Sequence, residues 1–190
     1  MDIKAFIENE CITPGFPVDG VNFVDIFPVI EKTYKEDFPK LAELAGDMAL
    51  VILPEARGFL YYGALGADKC MPVRKGGKLP GEVVGITYMK EYGPDTVYYQ
   101  TAALERILNR NLEGRDLSGM EYIPVMIFDD ILATGGTAAA IVKHFNSLSF
   151  HGVPLKVVRA AFHLELSTEL PFGRKAVEDL GTEVVALHSY

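Results

Sequence analysis

Cysteine is scarce: Cys11 and Cys70 are the only two in 190 residues, far apart and outside any metal-binding spacing. That excludes a disulfide scaffold and suits a reducing compartment. Positive charge is short as well. Eighteen Lys and Arg face 26 Asp and Glu, a net charge of -8 that disfavours nucleic acid and anionic membranes as partners. No apolar run is long enough to span a bilayer, and "MDIKAFIENEC" places acids where a secretion signal needs apolar residues. A cytoplasmic location is therefore expected. Repeats and low-complexity linkers are missing too. His144, His151, His163 and His188 show no zinc spacing and no Ser-His-Asp set, so they are assigned structural or surface roles. With 49% apolar and 23% charged residues, the chain reads as one packed domain over residues 1–190.

Pattern supplies the elements. "DIKAFIENE" reads as a short amphipathic helix, and Phe27 to Ala45 as mostly helical with an interruption near Pro39. "DMALVILPEARG" is a buried strand ending on Pro54, "FLYYGALG" a short helix and "KCMPV" a strand. "RKGGKLPG" is a mobile loop, with "DTVYYQ" a strand beside it. Helical spacing returns at Leu104, Ile107, Leu108 and Leu112, then a polar connector leads to the strand "IPVMIF". Ala138, Ile141, Val142, Phe145 and Leu148 mark another helix face, followed by strand "PLKVVRAAFHL", helix "GRKAVEDLG" and strand "EVVAL". This alternation predicts an α/β fold: a largely parallel central sheet with helices on both faces. Ligands then sit beyond the carboxyl ends of its strands.

The most informative stretch is "VMIFDDILATGGT", where a buried strand breaks into Asp129 and Asp130 and then a glycine turn. Adjacent acids repel, and burial worsens the repulsion unless a cation or hydroxyl groups meet them. Ala133, Thr134, Gly135, Gly136 and Thr137 place free backbone N–H groups at a helix start, a setting for phosphate. A phosphate there gains roughly 0.3–2 kcal/mol from the helix dipole, besides its hydrogen bonds. A phosphorylated pentose satisfies both halves, phosphate in the turn and hydroxyls on the acids. An ordinary strand-to-helix turn, capped by Thr134, accounts for the same residues.

The motif resembles the signature of the type I phosphoribosyltransferases, which bind 5-phosphoribosyl 1-pyrophosphate (PRPP) there. Further blocks follow in the family's order: "PGFPVDGVNFVDIFPVI", "EARGFLYYG", "VRKGGKLPG" with "EYGPDT", then "FHLEL" and "GRKAVEDLG". They cover most of the chain and are most like those of the adenine-using branch. The resemblance implies a type I phosphoribosyltransferase fold with a small N-terminal base-binding hood, about residues 1–34, and a flexible loop. It implies a homodimer, Mg2+, and transfer of phosphoribose from PRPP to adenine, giving AMP and pyrophosphate.

By the same resemblance, Glu55, Ala56, Arg57 and Gly58 belong to the pyrophosphate loop; Arg57 offers a planar fork for its oxygens. Arg74, Lys75 and Lys78 join them on the glycine-hinged loop, which is otherwise a solvated basic turn. Glu91 and Tyr92 are expected near the base, Glu91 as proton exchanger, unless it is an unrelated surface acid. Asp129 and Asp130 would hold the sugar and share in holding Mg2+, itself bound mainly through PRPP and water. Phe23 matches the aromatic that stacks on the purine, though a core role fits it equally. Val24, assigned to the base site with it, stands where Arg is common. Two lengths depart from the family pattern: a shorter helix after the pyrophosphate loop, and a dozen or more added residues around 105–122. Hypoxanthine, guanine or xanthine are alternative bases. A PRPP sensor without catalysis is the alternative of another class, for which the chain shows no nucleic-acid-binding element.

Overall fold

The computed structural model describes the chain apart from residues Met1, Pro17, Val18, Val21, Glu91, Tyr92 and Glu169, and the side chain of Lys90. Helix α1 (Ile3–Glu10) starts on Asp2, whose carboxylate accepts from the Lys4 and Ala5 amides. Strands β1 (Ile12–Pro14) and β2 (Asn22–Val24) pair antiparallel as a small ribbon before helix α2 (Phe27–Ala45). The expected break at Pro39 does not occur; α2 runs straight through it. Pro39 lies on the exposed side, where the carbonyl deprived of its partner meets water. The opposite side buries Val29, Thr33, Asp37, Leu41 and Ala45 at four-residue spacing and holds the helix together.

Strand β3 (Leu50–Pro54) leads into a 3-10 turn (Arg57–Tyr61), then β4 (Cys70–Lys75). Arg74 and Lys75, expected in the loop, therefore end a strand. Strand β5 (Val83–Lys90) escaped the sequence reading, which assigned only part of β6 (Gly93–Gln100), its antiparallel partner. Helix α3 (Thr101–Leu112) and a polar connector absorb the added segment. Strand β7 (Ile123–Leu132), helix α4 (Gly136–Phe145), β8 (Ser149–Phe150), β9 (Val153–Glu165), α5 (Phe172–Glu178) and β10 (Glu183–Ser189) complete the chain.

The main sheet runs β10-β9-β7-β3-β4-β6-β5. Its first five strands are parallel, and the β5–β6 hairpin forms an antiparallel edge. Strand alternation feeds two cores. Leu50, Ile52, Val125 and Ile127 face α3 and α4, while Val51, Leu53, Met126 and Phe128 face Leu41, Ala45 and Tyr61. A third cluster joins Ile7, Cys11, Val24, Ile26 and Val29 to Leu164 and Leu166, seating the N-terminal segment on the end of β9. Both faces of the sheet are covered, as the apolar strands β3 and β7 require. No helix among the described residues is long and apolar enough to cross a membrane.

Candidate active site

Strands β3 and β7 are parallel neighbours, so their following loops emerge side by side at one sheet edge. After β3 come Glu55 and Ala56, joined by a cis peptide bond, then Arg57 and Gly58. After β7 comes the glycine turn. One cleft is lined by Glu55, Ala56, Arg57, Asp129, Asp130, Ile131 and Ala133. A smaller cup of about 90 Å3 opens beside it, walled by residues 133–138, and shares Asp129, Ile131 and Ala133 with the cleft. Gly58 sits against the acids: a methyl there would lie 3.5 Å from Asp129 Oδ1.

The cup is built from backbone. Gly135 takes a left-handed conformation (φ 74°) at the start of α4, where no side chain caps the helix. Thr134 therefore does not spend the first amides, as the ordinary-turn reading required. Behind the turn stands Gly173 of α5. A Cβ on Gly173 would fall 1.9 Å from the Ala133 carbonyl oxygen, and one on Gly135 only 2.4 Å from the Gly173 carbonyl. Two glycines thus let main chain press on main chain. The contact locks the turn in place.

The acids differ. Asp130 is buried, 5% exposed, and its Oδ2 pairs with Arg57 Nε. Asp129 is half-buried and its Oδ1 accepts from the Asp130 amide at 2.9 Å. Burial, and then the Asp130 carboxylate beside it, push the Asp129 pKa well above the usual carboxylate range. Asp129 therefore resists ionising beside Asp130. A cation or hydroxyl donors would relieve the repulsion.

The basic residues divide. Glu55 accepts from Arg74 Nε and Lys78 Nζ, each at 2.8 Å. Burial alone would raise the Glu55 pKa, but the bonds from Lys78 and Arg74 outweigh it and hold it at about 2. Lys75, one residue on along β4, is engaged elsewhere: it pairs with Asp95, which also accepts from the Tyr88 hydroxyl at 3.1 Å. The expected group of three cations is thus two plus one. Arg57 bridges the acids to the N-terminal β1–β2 ribbon, its guanidinium 5.7 Å from the Phe23 ring centre. Phe16 meets the same ring edge-on at 5.2 Å. Val24 is 4% exposed and packs in the third core cluster, so only its main chain remains for a ligand. Glu91 and Tyr92 lie outside the described residues. The β5 end beside them comes close to the cup, the Met89 carbonyl oxygen lying 3.7 Å from a Cβ built on Gly136.

Sequence reasoning missed Gly173, Phe16, Asp95 and Tyr88, whose roles depend on partners far along the chain. It also missed a buried group formed by Thr33, Asp37, Tyr61, His163 and His188 beneath the cleft. No local signal marks these residues.

Sheet order, paired acids, uncapped glycine turn and the loop after β3 together define a type I phosphoribosyltransferase fold. No family model matches the chain. An adenine phosphoribosyltransferase of Thermotoga petrophila is 37% identical across 97% of this chain and 99% of its own length. That of Mycoplasmopsis pulmonis is 35% identical over 95% and 97%. Among solved structures, the adenine phosphoribosyltransferase of Thermoanaerobacter pseudethanolicus superposes with a TM-score of 0.69 at 32% identity, covering 98% of this chain and 99% of that one. The Saccharomyces cerevisiae enzyme, solved with adenine and an imino-altritol bisphosphate, gives 0.68 at 28% identity, covering 96% and 97%. The chain belongs to the adenine phosphoribosyltransferase family.

Proposed function

We propose that the chain transfers the 5-phosphoribosyl group of PRPP to adenine, releasing pyrophosphate and forming AMP, a purine-salvage reaction. The observation that carries this reading is the continuity of cup and cleft through Asp129, Ile131 and Ala133. One sugar phosphate spans them, its 5′-phosphate on residues 133–137 and its hydroxyls on the acids. Fixing both ends removes much of the orientational entropy of the displacement.

A ring nitrogen of adenine forms the bond to C1′ while the C1′–pyrophosphate bond breaks. Positive charge develops on the ribose ring, where Asp129 and Asp130 stabilise it. Negative charge collects on pyrophosphate beside Arg57, with Arg74 and Lys78 released from Glu55 to receive it. Lys75 reaches it only after leaving Asp95. Closure of residues 76–82 excludes water from the reacting sugar. Phe23 supplies the flat stacking face, the Val24 main chain an edge contact, and Glu91 with Tyr92 the proton exchange with the base.

The oxygen-only donor set of two adjacent carboxylates, Asp129 and Asp130, fits Mg2+, which PRPP and water would hold for the most part. When bound, Mg2+ neutralises charge on the leaving group. A homodimer belongs to the same proposal, supported by the exposed apolar Leu60 and Tyr62 just after the pyrophosphate loop. So does a cytoplasmic location, supported by two unpaired buried cysteines. The test is pyrophosphate release from PRPP and Mg2+ with adenine, hypoxanthine, guanine and xanthine. Adenine alone should give rapid release. Preference for another base would overturn the substrate, and no release with any base would point to a sensor.

A further inference from the structure

Beneath the cleft lies a polar chain that the chemistry above does not use. Tyr61, the last residue of the 3-10 turn that begins at Arg57, is fully buried. Its hydroxyl meets His163 Nδ1 of β9 at 2.8 Å. His163, also fully buried, turns Nε2 toward Thr33 Oγ1 at 3.0 Å and Asp37 Oδ2 at 3.2 Å, both on α2. Asp37, 1% exposed, accepts from His188 Nε2 of β10 at 2.6 Å and from Lys40 Nζ at 3.2 Å.

Proton positions follow from the surroundings. Burial, with the charges of Asp130 and Asp129, pushes Tyr61 ionisation upward, so its hydroxyl keeps the proton and donates. Burial lowers the His163 pKa to about 4, leaving a neutral ring. Nδ1 then accepts from Tyr61, and Nε2–H faces Asp37 and Thr33. Burial works to raise the Asp37 pKa, yet the Thr33 and His188 bonds prevail and keep it low. The carboxylate is the fixed end of the chain. Ligand atoms of Asp37, His163 and His188 lie within 4.8 Å of one another, close enough for a metal ion. Each already has a hydrogen-bond partner, so the geometry favours a closed network.

The network touches the cleft from below. The Tyr61 ring packs 4.6 Å from that of Phe128, the residue before Asp129. His163 follows Phe162, the register partner of Asp129. We propose that Tyr61 and His163 are positioning residues of the pyrophosphate loop, holding the turn that carries Arg57 level with the two acids. The inference rests on the reading of Glu55 to Gly58 as that loop.

Steady-state kinetics of Tyr61→Phe, a change that removes only the donor, test it. The KM for PRPP should rise roughly 5- to 10-fold, the scale of one buried hydrogen bond, with the KM for adenine unchanged. His163→Leu should raise it equally, and the double variant no further, because the two act as one chain. His163→Gln, which keeps an acceptor, should restore much of the affinity. All are assayed below their melting midpoints. A Tyr61→Phe protein that melts earlier but keeps the wild-type KM for PRPP would show a merely structural bond and overturn the proposal. Fully additive effects would overturn it also. Arg57→Ala separates the two layers: if it weakens PRPP binding while Tyr61→Phe does not, only this inference fails. If Arg57→Ala changes nothing, the loop reading fails with it.

Discussion

The two anion sites proposed for the cleft are built in opposite ways. The phosphate cup is made of main chain, its turn pressed against Gly173 and its helix start left uncapped. Nothing in it must move before an anion arrives. The pyrophosphate side is made of long side chains, and two of its cations are already bound to Glu55. On the proposed reading, that carboxylate takes the place of the leaving group's negative charge. A rigid cup can orient the sugar from the moment of encounter, while the other end tightens only on exchanging an internal partner for the substrate.

Breaking the point where the two sites meet should have the largest effect. Asp129→Asn with Asp130→Asn should lower kcat/KM by roughly 1000-fold, the scale of losing groups aimed at transition-state charge. The protein should stay folded, since relief of the repulsion between the acids offsets loss of the Arg57–Asp130 pair. Near-wild-type turnover would detach the acids from the chemistry. Next in size is an attack on the rigid site alone. Gly173→Ala drives a methyl into the Ala133 carbonyl, so the turn must shift; about 1–3 kcal/mol of stability should be lost in a denaturant titration. The KM for PRPP should rise at least about tenfold with it, because misplacing such a contact costs heavily in orientation. A protein that kept its affinity would show that the cup is less rigid than its backbone contacts imply.

The smallest effect probes the exchangeable site. Glu55→Gln frees Arg74 and Lys78, so the KM for PRPP should fall by about 2- to 5-fold, as when a competing state is removed. An unchanged or higher value would mean that Glu55 aids binding rather than competing for the cations. The same variant has a pH signature. The folded-state pKa of Glu55, about 2, lies below its ordinary 4.5, so its stabilisation is present above pH 4.5 and is lost as pH falls toward 2. Wild type should therefore lose more stability than Glu55→Gln across that window in acid-unfolding curves.

Legibility followed the range of the interactions. The turn after β7 was readable because strand, acids, glycines and helix are consecutive, and each residue type has a local reason to be there. That Glu55 to Arg57 emerge on the same sheet edge as the acids was readable for the same reason. Pro39 misled because a local rule was outweighed by the packing of Val29, Thr33, Leu41 and Ala45 along one helix face. Strand β5 was missed because its alternation is interrupted by Gly85, whose place is taken up by the Tyr98 ring across the hairpin. Lys75 was grouped with Arg74 from adjacency, whereas neighbouring strand residues point to opposite faces and find different acids.

By itself the sequence determined the alternation of strands and helices, the acid pair with its glycine turn, and the family, since all of these are written in contiguous residues. Tertiary structure alone decided that Gly173 backs the cup, that Glu55 holds two of the cations, and that Tyr61, His163, Asp37 and His188 share one hydrogen-bonded chain. Burial makes the difference: partners far apart along the chain become coupled only when folding removes the water that would otherwise separate them.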